Sequence, residues 1–549
     1  MRTQLSTQST TMRHRDFSTN RTIGSALMAV MLFVVVSFVL LGSIMIWAKN
    51  NGALAARKYE FVRAQYVAEA GADKFFTGMQ AYVSTNHVTP TQAIVDGLCT
   101  NQVPTSADHA IFSQYQFIAT DGSHNKIDGT YLGTPSQELL TSGTYSGLYA
   151  LVTSYQVVAR AKGVGRPIPV TAAVRRDVNV QAIPIFQFAV FYQGDLEIGN
   201  NPPMTITGRV QANGNGYFVP SSSLVFNSPV TLVGRAYYTA KPGDPGHTSP
   251  APTTFNSTLT TQVHPLNMPI GASSPRDILD PPPSSGVDPI TDQRLYNKAG
   301  MIITVTAGSI SVVNASGGAV SLPASTIVTN NSMYDYREGK TVLLTEIDVN
   351  KLQSQPPANG IVYVIDNRTG TSSQETAIRL INGGSLPAGG LSVVTPNPLY
   401  ILGDFNKNNG SWQPCSIVAD AINILSANWN DANSSLGLGS RGVNNNMEVN
   451  AAFFVGNVPT TMATGFSGGL ENLFRFHEDW TSGNRTLTYA GSIVCMFASK
   501  FATGPYQNAS YNAPTRVWSF DTRFLDPTKL PPGTPAVWEL TQSEWASVK

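Results

Sequence analysis

Three clusters carry the residue types for chemistry. His477-Glu478-Asp479 sets an imidazole beside two carboxylates, the groups of a metal site or an acid–base pair. Consecutive residues on a helix point in different directions, and no second histidine stands nearby, so the spacing does not make a ligand set. Asp404-Phe405-Asn406-Lys407-Asn408-Asn409-Gly410 offers side-chain oxygens at alternate positions, as a calcium loop does. Its sixth place is Asn409 where such a loop needs glycine, and no acid stands at the twelfth, so an Asn-rich turn accounts for it. Tyr334-Asp335-Tyr336-Arg337-Glu338-Gly339-Lys340 suits a sugar-facing patch, and suits better an ion-paired loop ordering the entry to the apolar run 341–349. Gly163-Val164-Gly165 lacks the lysine of a phosphate loop and the third glycine of a dinucleotide loop, which makes it a hairpin turn.

Composition points away from several classes. The 549 residues carry a net charge of +1, so there is no basic field for nucleic acid. Charged residues are 13%, about half the usual ~25%. Asn, Ser, Thr, Gln and Gly supply the polarity instead, which suits an envelope or secreted β-protein. Cys99, Cys415 and Cys495 show no metal spacing. They allow one disulfide with a spare thiol, or three separate buried thiols.

The element that must position everything else is at the N-terminus. Thr22–Ala48 is an uncharged run between Arg21 and Lys49. As a helix it reaches roughly 40 Å, enough for the ~30 Å hydrocarbon core with some tilt. Ile23, Ala29, Leu32, Val36, Leu40, Ile44 and Trp47 lie along it. Before it, residues 1–22 hold Arg2, Arg13, Arg15 and Arg21 against Asp16, a basic leader that predicts a cytoplasmic N-terminus and an exported bulk. Beyond it the helical pattern continues, with Ala55, Tyr59, Val62, Tyr66 and Ala70 as an apolar stripe that needs a cover. Gly71 and Gly78 weaken the helix near its expected end at 78–88.

A basic leader, Gly24-Ser25, a long apolar helix and then Ala68-Glu69-Ala70-Gly71 resemble the PilX-type minor type IV pilins and related pseudopilins, over about residues 20–80. The resemblance implies cleavage by a prepilin peptidase after Gly24, a mature start at Ser25, and packing among other pilin-like subunits or assembly proteins. Where pilins commonly carry a glutamate, five residues into the mature chain, this chain has Ala29; PilX-like members tend to lack that acid too. An uncleaved signal anchor, or a signal peptide cut after Ala53-Leu54-Ala55, are the plainer alternatives.

From Ile111 the period becomes two. Ile111–Ala119 reads as a strand, and 148–163 with 167–180 as a long hairpin on which a helix could pack. After Pro184, short apolar pieces with Gly and Asn corners recur: 204–218, 230–239, 390–395, 399–405, 416–425, 449–458 and 487–498. Gly208 and Gly234 lie 26 residues apart in similar contexts, the length of one solenoid rung. A Greek-key sandwich is the alternative. Residues 241–292 are proline-rich and form a linker or a loop within one domain, and 472–480 reads as a short flanking helix.

The expectation is an α+β chain: leader 1–22, membrane and amphipathic helix 23–85, pilin-like sheet 86–183, and a solenoid-like β region 184–549. It is a single-pass bacterial inner-membrane component of a type IV pilus or type II secretion-like system, with an extracytoplasmic adhesion or scaffolding region. Its partners are the bilayer, pilin-like subunits and prepilin peptidase, with surface glycans as a further ligand class and no nucleic acid. No catalytic residue, metal or cofactor is assigned. The competing function is a membrane-tethered β-helix that binds or cleaves polysaccharide.

Overall fold

A helix of 64 residues, α1 (Ile23–Asn86), organises the first part of the computed structural model. The structure describes residues 23–86, 88–133, 135–143, 145–166, 168–247, 250–267, 274–507 and 510–548; the basic leader lies outside them. No residue of α1 from Ser25 to Tyr59 is buried. Beyond that point the helix lies on an antiparallel sheet built around the hairpin Tyr149–Gly163 and Thr171–Pro184, in register from Leu151 opposite Ala182 to Lys162 opposite Thr171. Tyr115–Phe117, Asp128–Tyr131 and Ser136–Leu139 pair with the first arm. Ile111–Gln114, expected as strand, belongs instead to a 3-10 turn, Ala110–Gln114.

The covered face of α1 is not the predicted one. Tyr59 and Tyr66 are 60% and 66% exposed, while Ala64, Val67, Ala68, Ala72, Phe75 and Met79 are buried against Val157, Ala159, Val174 and Val178. At 3.6 residues per turn the two faces are roughly opposite. The covered face combines Ala64, Ala68, Gly71 and Ala72, which let the helix axis approach the sheet, with Val67, Phe75 and Met79, which fill the contact. Gly71 and Gly78 do not end the helix; a Cβ on either would lie 2.5 Å from Phe117 or Gln102. The chain's last strands also belong here: Ala536–Gln542 and Ala546–Val548 pair with Thr171–Pro184, although they fall in the 184–549 region expected to be separate.

The rest is built from parallel ladders. From Ile361 the chain alternates between a 15-stranded and a six-stranded sheet: Ile361–Asp366, then Gln374–Ile381, Leu391–Val394, Leu399–Leu402, Cys415–Ala419, Ile422–Leu425, Met447–Val455, Phe474–Phe476 and Thr486–Cys495. In-register pairing stacks Val393, Ile417, Phe453 and Ile493 in one column, and Leu380, Ile401, Ile424 and Phe476 in the facing one. These residues fill the space between the sheets. The large sheet is buried on its other face too, where Val394, Val418, Phe454 and Val494 meet Ile278, Leu279, Leu295 and Phe188. Burial on both faces explains why its strands are nearly continuous apolar runs.

The chain enters this stack in its middle. Val190–Tyr192 pairs with Ile493–Cys495, and Met204–Thr207 with Thr515–Phe520. Residues 190–261 extend the stack outward from there, and residues 301–495 approach from the opposite end. The 26-residue interval is not a repeat: Met204 pairs with Leu224 and Val210 with Val230, 20 residues apart. Gly208 and Gly234 occupy different corners. Within 241–292, Thr253–Phe255 and Leu259–Thr261 are strands, and Ile278 and Leu279 cover the large sheet. Of 472–480, only Asn472 and Leu473 belong to a helical turn, Leu470–Leu473; Phe474–Phe476 is strand. Cys99, Cys415 and Cys495 are separate buried thiols.

Candidate functional site

The candidate site is α1 itself, where it changes from an unpacked rod to the spine of the sheet. Its apolar stretch is long enough to cross a membrane and none of it is buried. Leu32, Val36, Leu40, Ile44 and Trp47 are all exposed, as is Ala29. Ile23, Gly24 and Ser25 lie at the start of the helix. An apolar cylinder exposed on every side is stable in lipid, where its backbone groups are satisfied within the helix. One such helix fits a single-pass anchor.

Ala68-Glu69-Ala70-Gly71 sits at the packed end, and its members divide the work. Ala68 and Gly71 meet the sheet, Gly71 directly under Phe117. Glu69 reaches sideways to Arg176 Nη2 at 3.1 Å, and the same guanidinium binds Asp73 and Gln542 Oε1. Arg176 thereby ties α1, the hairpin and the C-terminal strand together. About two and a half turns nearer the N-terminus, Arg166 holds Glu60 through two bonds of 2.7 and 2.9 Å. Those bonds keep the Glu60 carboxyl below its ordinary range. Burying a side chain such as Phe75 contributes about 1.5–3 kcal/mol, and α1 buries a row of them here, whereas these partly buried ion pairs lie at the edge of the contact. Packing therefore holds the helix on the sheet, and the ion pairs fix its register.

Asp335, Arg337, His477 and Glu478 of two of the chemistry-bearing clusters are buried, while Asn408, Asn409 and Gly410 of the third are exposed. Asp335, Arg337, Arg475 and His477 are buried where the hairpin 327–348 meets the strand Phe474–Phe476. Tyr400 Oη donates to Asp335 Oδ2 at 2.6 Å, Arg337 donates to the carbonyls of Gly504 and Asn472, and Glu338 pairs with Arg475. Tyr336 Oη donates to the Ser435 carbonyl at 2.8 Å. The 334–340 segment is thus an ion-paired turn clamped from four directions. Asp404 accepts from the Glu448 N–H and Asn406 bridges to Gln413 and Asn450, so the 404–410 oxygens are used by the protein itself.

A spacing easily missed in the sequence is Gly465-Phe466-Ser467-Gly468-Gly469, the G-x-S-x-G of a nucleophile turn. Ser467 is buried; its Oγ donates to the Thr464 carbonyl at 2.6 Å and accepts from the Tyr506 N–H at 2.9 Å. His247, bonded to Asp244 at 2.8 Å, lies against the Phe466 ring. The serine is committed to the turn.

No protein-family model matches this chain, and no curated protein matches it. Among solved structures, the competence-associated pilin ComZ from Thermus thermophilus aligns over 89% of this chain and 97% of its own length, at 13% identity and a TM-score of 0.28. At that score no overall superposition is demonstrated, and the functional conclusion rests on this chain's own geometry.

Proposed function

We propose that this chain is a minor-pilin-like subunit of a type IV pilus or type II secretion-like assembly, of the PilX type, anchored in the bacterial inner membrane by α1. The leader stays in the cytoplasm, a prepilin peptidase cuts between Gly24 and Ser25, and the rest stands outside. The parallel ladders of 190–520 support reading that region as a β-solenoid for adhesion or scaffolding, without catalysis. The observation that carries the proposal is the division of α1. Among the described residues its first half is buried against nothing, while its second half is clamped to a sheet by Phe75, Arg166 and Arg176. A tether alone needs no such rigid continuation.

A photoreactive residue at Val36, in cells carrying the whole assembly system, tests the proposal. The expected product is an adduct with another pilin-like polypeptide. Adducts to lipid alone reduce α1 to an anchor and overturn the assembly role. A glycan-binding role has one observation in its favour: Tyr217 and Tyr237 stack at 5.0 Å on the three-stranded sheet, with Lys241 5.9 Å from the Tyr217 ring.

A further inference from the structure

One end of the parallel stack is open. Thr253–Phe255 and Leu259–Thr261 pair inward with Leu224–Phe226 and Val230–Leu232, and among the described residues nothing pairs with their outer side. The Asn256 N–H donates to the Phe226 carbonyl at 2.8 Å, and the Val230 N–H to the Thr258 carbonyl at 2.9 Å. Ladder alternation then turns the backbone groups of Thr253, Phe255, Leu259 and Thr261 outward. Phe255 stacks on Phe226 at 5.1 Å and, like Leu259, is only partly covered. The core therefore ends here with one side unfilled.

At the opposite end the last strands are the arms of antiparallel hairpins. Ile310–Asn314 folds back antiparallel on Met301–Val305, and Ile327–Asp335 folds back on Lys340–Asp348 with a bulge between Val328 and Asn331. Bulges, charges and prolines are how proteins blunt a sheet edge. Residues 253–261, Thr-Thr-Phe-Asn-Ser-Thr-Leu-Thr-Thr, have no charge and no proline.

That segment is also nearly symmetric about Ser257. Thr253 mirrors Thr261, Thr254 mirrors Thr260, and Phe255 mirrors Leu259. Exposure follows the same symmetry: Thr254, Asn256, Thr258 and Thr260 face solvent, and the alternate residues are partly covered. We propose that a second copy of this chain docks on this edge, antiparallel, across a two-fold axis at Ser257. Phe255 then opposes the partner's Leu259, closing both open cores, and Thr254 opposes the partner's Thr260. A two-fold contact requires a self-complementary surface, and an uncharged edge meets its own copy without repulsion. The edge is short, ~30 Å at ~3.3 Å per residue, so the contact forms between chains whose helices share one membrane and raise each other's local concentration.

Disulfide trapping of the full chain in membranes tests this, since Cys99, Cys415 and Cys495 are buried. The variant T254C/T260C should give roughly tenfold more oxidised dimer than T254C or T260C alone, because a disulfide bridges only directly opposed positions. S257C alone should also trap a dimer, across the axis, and adding T254K and T260K should abolish it. The proposal is overturned if the double variant stays monomeric or is trapped with a different protein. It is equally overturned if T254C alone links as well as the pair.

Discussion

Replacing Asp420 by alanine should cost the folded chain about 3–5 kcal/mol, the range for removing one partner of a buried ion pair. Asp420 is wholly buried at the corner between Cys415–Ala419 and Ile422–Leu425, where the chain passes from the large sheet to the six-stranded one. One carboxylate oxygen takes Arg276 and the Lys500 N–H, and the other takes the N–H groups of Phe501 and Ala502 at 3.0 and 2.8 Å. Arg276 also donates to the Pro396 carbonyl and lies over the rings of Phe497 and Phe501. The side chain thus pins the proline-rich segment and the 500–502 loop onto one turn. Alanine leaves a buried guanidinium with its main partner gone and three amides without an acceptor, which is why the loss exceeds that of a surface pair. Asparagine should fall between, since it keeps one accepting oxygen. Chemical denaturation of D420A and D420N measures the difference, and a loss below about 1 kcal/mol in D420A contradicts the assignment.

Stability should fall by about 2.5 kcal/mol between pH 6.5 and 8. Burial, with Glu338 and Asp335 nearby, pushes Glu375 from 4.5 to about 8; Lys340, 3.5 Å away and partly exposed, does not offset it. Burial pushes Glu478 to about 7 against its bonds from Ser426. For an acid whose folded value lies above its unfolded one, stability is fully present below about 4.5 and is lost as pH rises to the folded value. His477 acts in the opposite sense. Burial, with Arg475, Arg441 and Arg337 around it, lowers it from 6.5 to about 4, so its contribution is present above 6.5 and is lost as pH falls. Below pH 6.5 the histidine offsets one acid; above it, that offset is gone. Thermal melts of Glu375→Gln should show the decline cut to about 1 kcal/mol, the share of Glu478. An unchanged slope contradicts the role of Glu375.

What was legible in the sequence was local. The membrane-length helix is written in the absence of charge from Thr22 to Ala48, and the 149–184 hairpin in its alternation around a glycine turn. The phase of the second half of α1 was not legible. Tyr59, Val62 and Tyr66 form one stripe at helical spacing, and Ala64, Val67, Ala68, Phe75 and Met79 form another on the opposite side, so spacing alone does not choose between them. The run 416–425 reads as one strand, yet Asp420 turns it between sheets. Nothing in an apolar run says where a buried acid will find its donors. The order of the stack, and the return of residues 536–548 to the first sheet, are pairings over hundreds of residues with no local signal.

On the proposed reading, one helix is both a processed membrane segment and the spine of the first extracytoplasmic sheet. The most direct test is the N-terminal residue of the chain extracted from its own membranes, read by sequencing or intact mass. The expected first residue is Ser25, with α1 otherwise whole. A retained Met1 contradicts the processing, and a start at Ala56 contradicts the anchor as well.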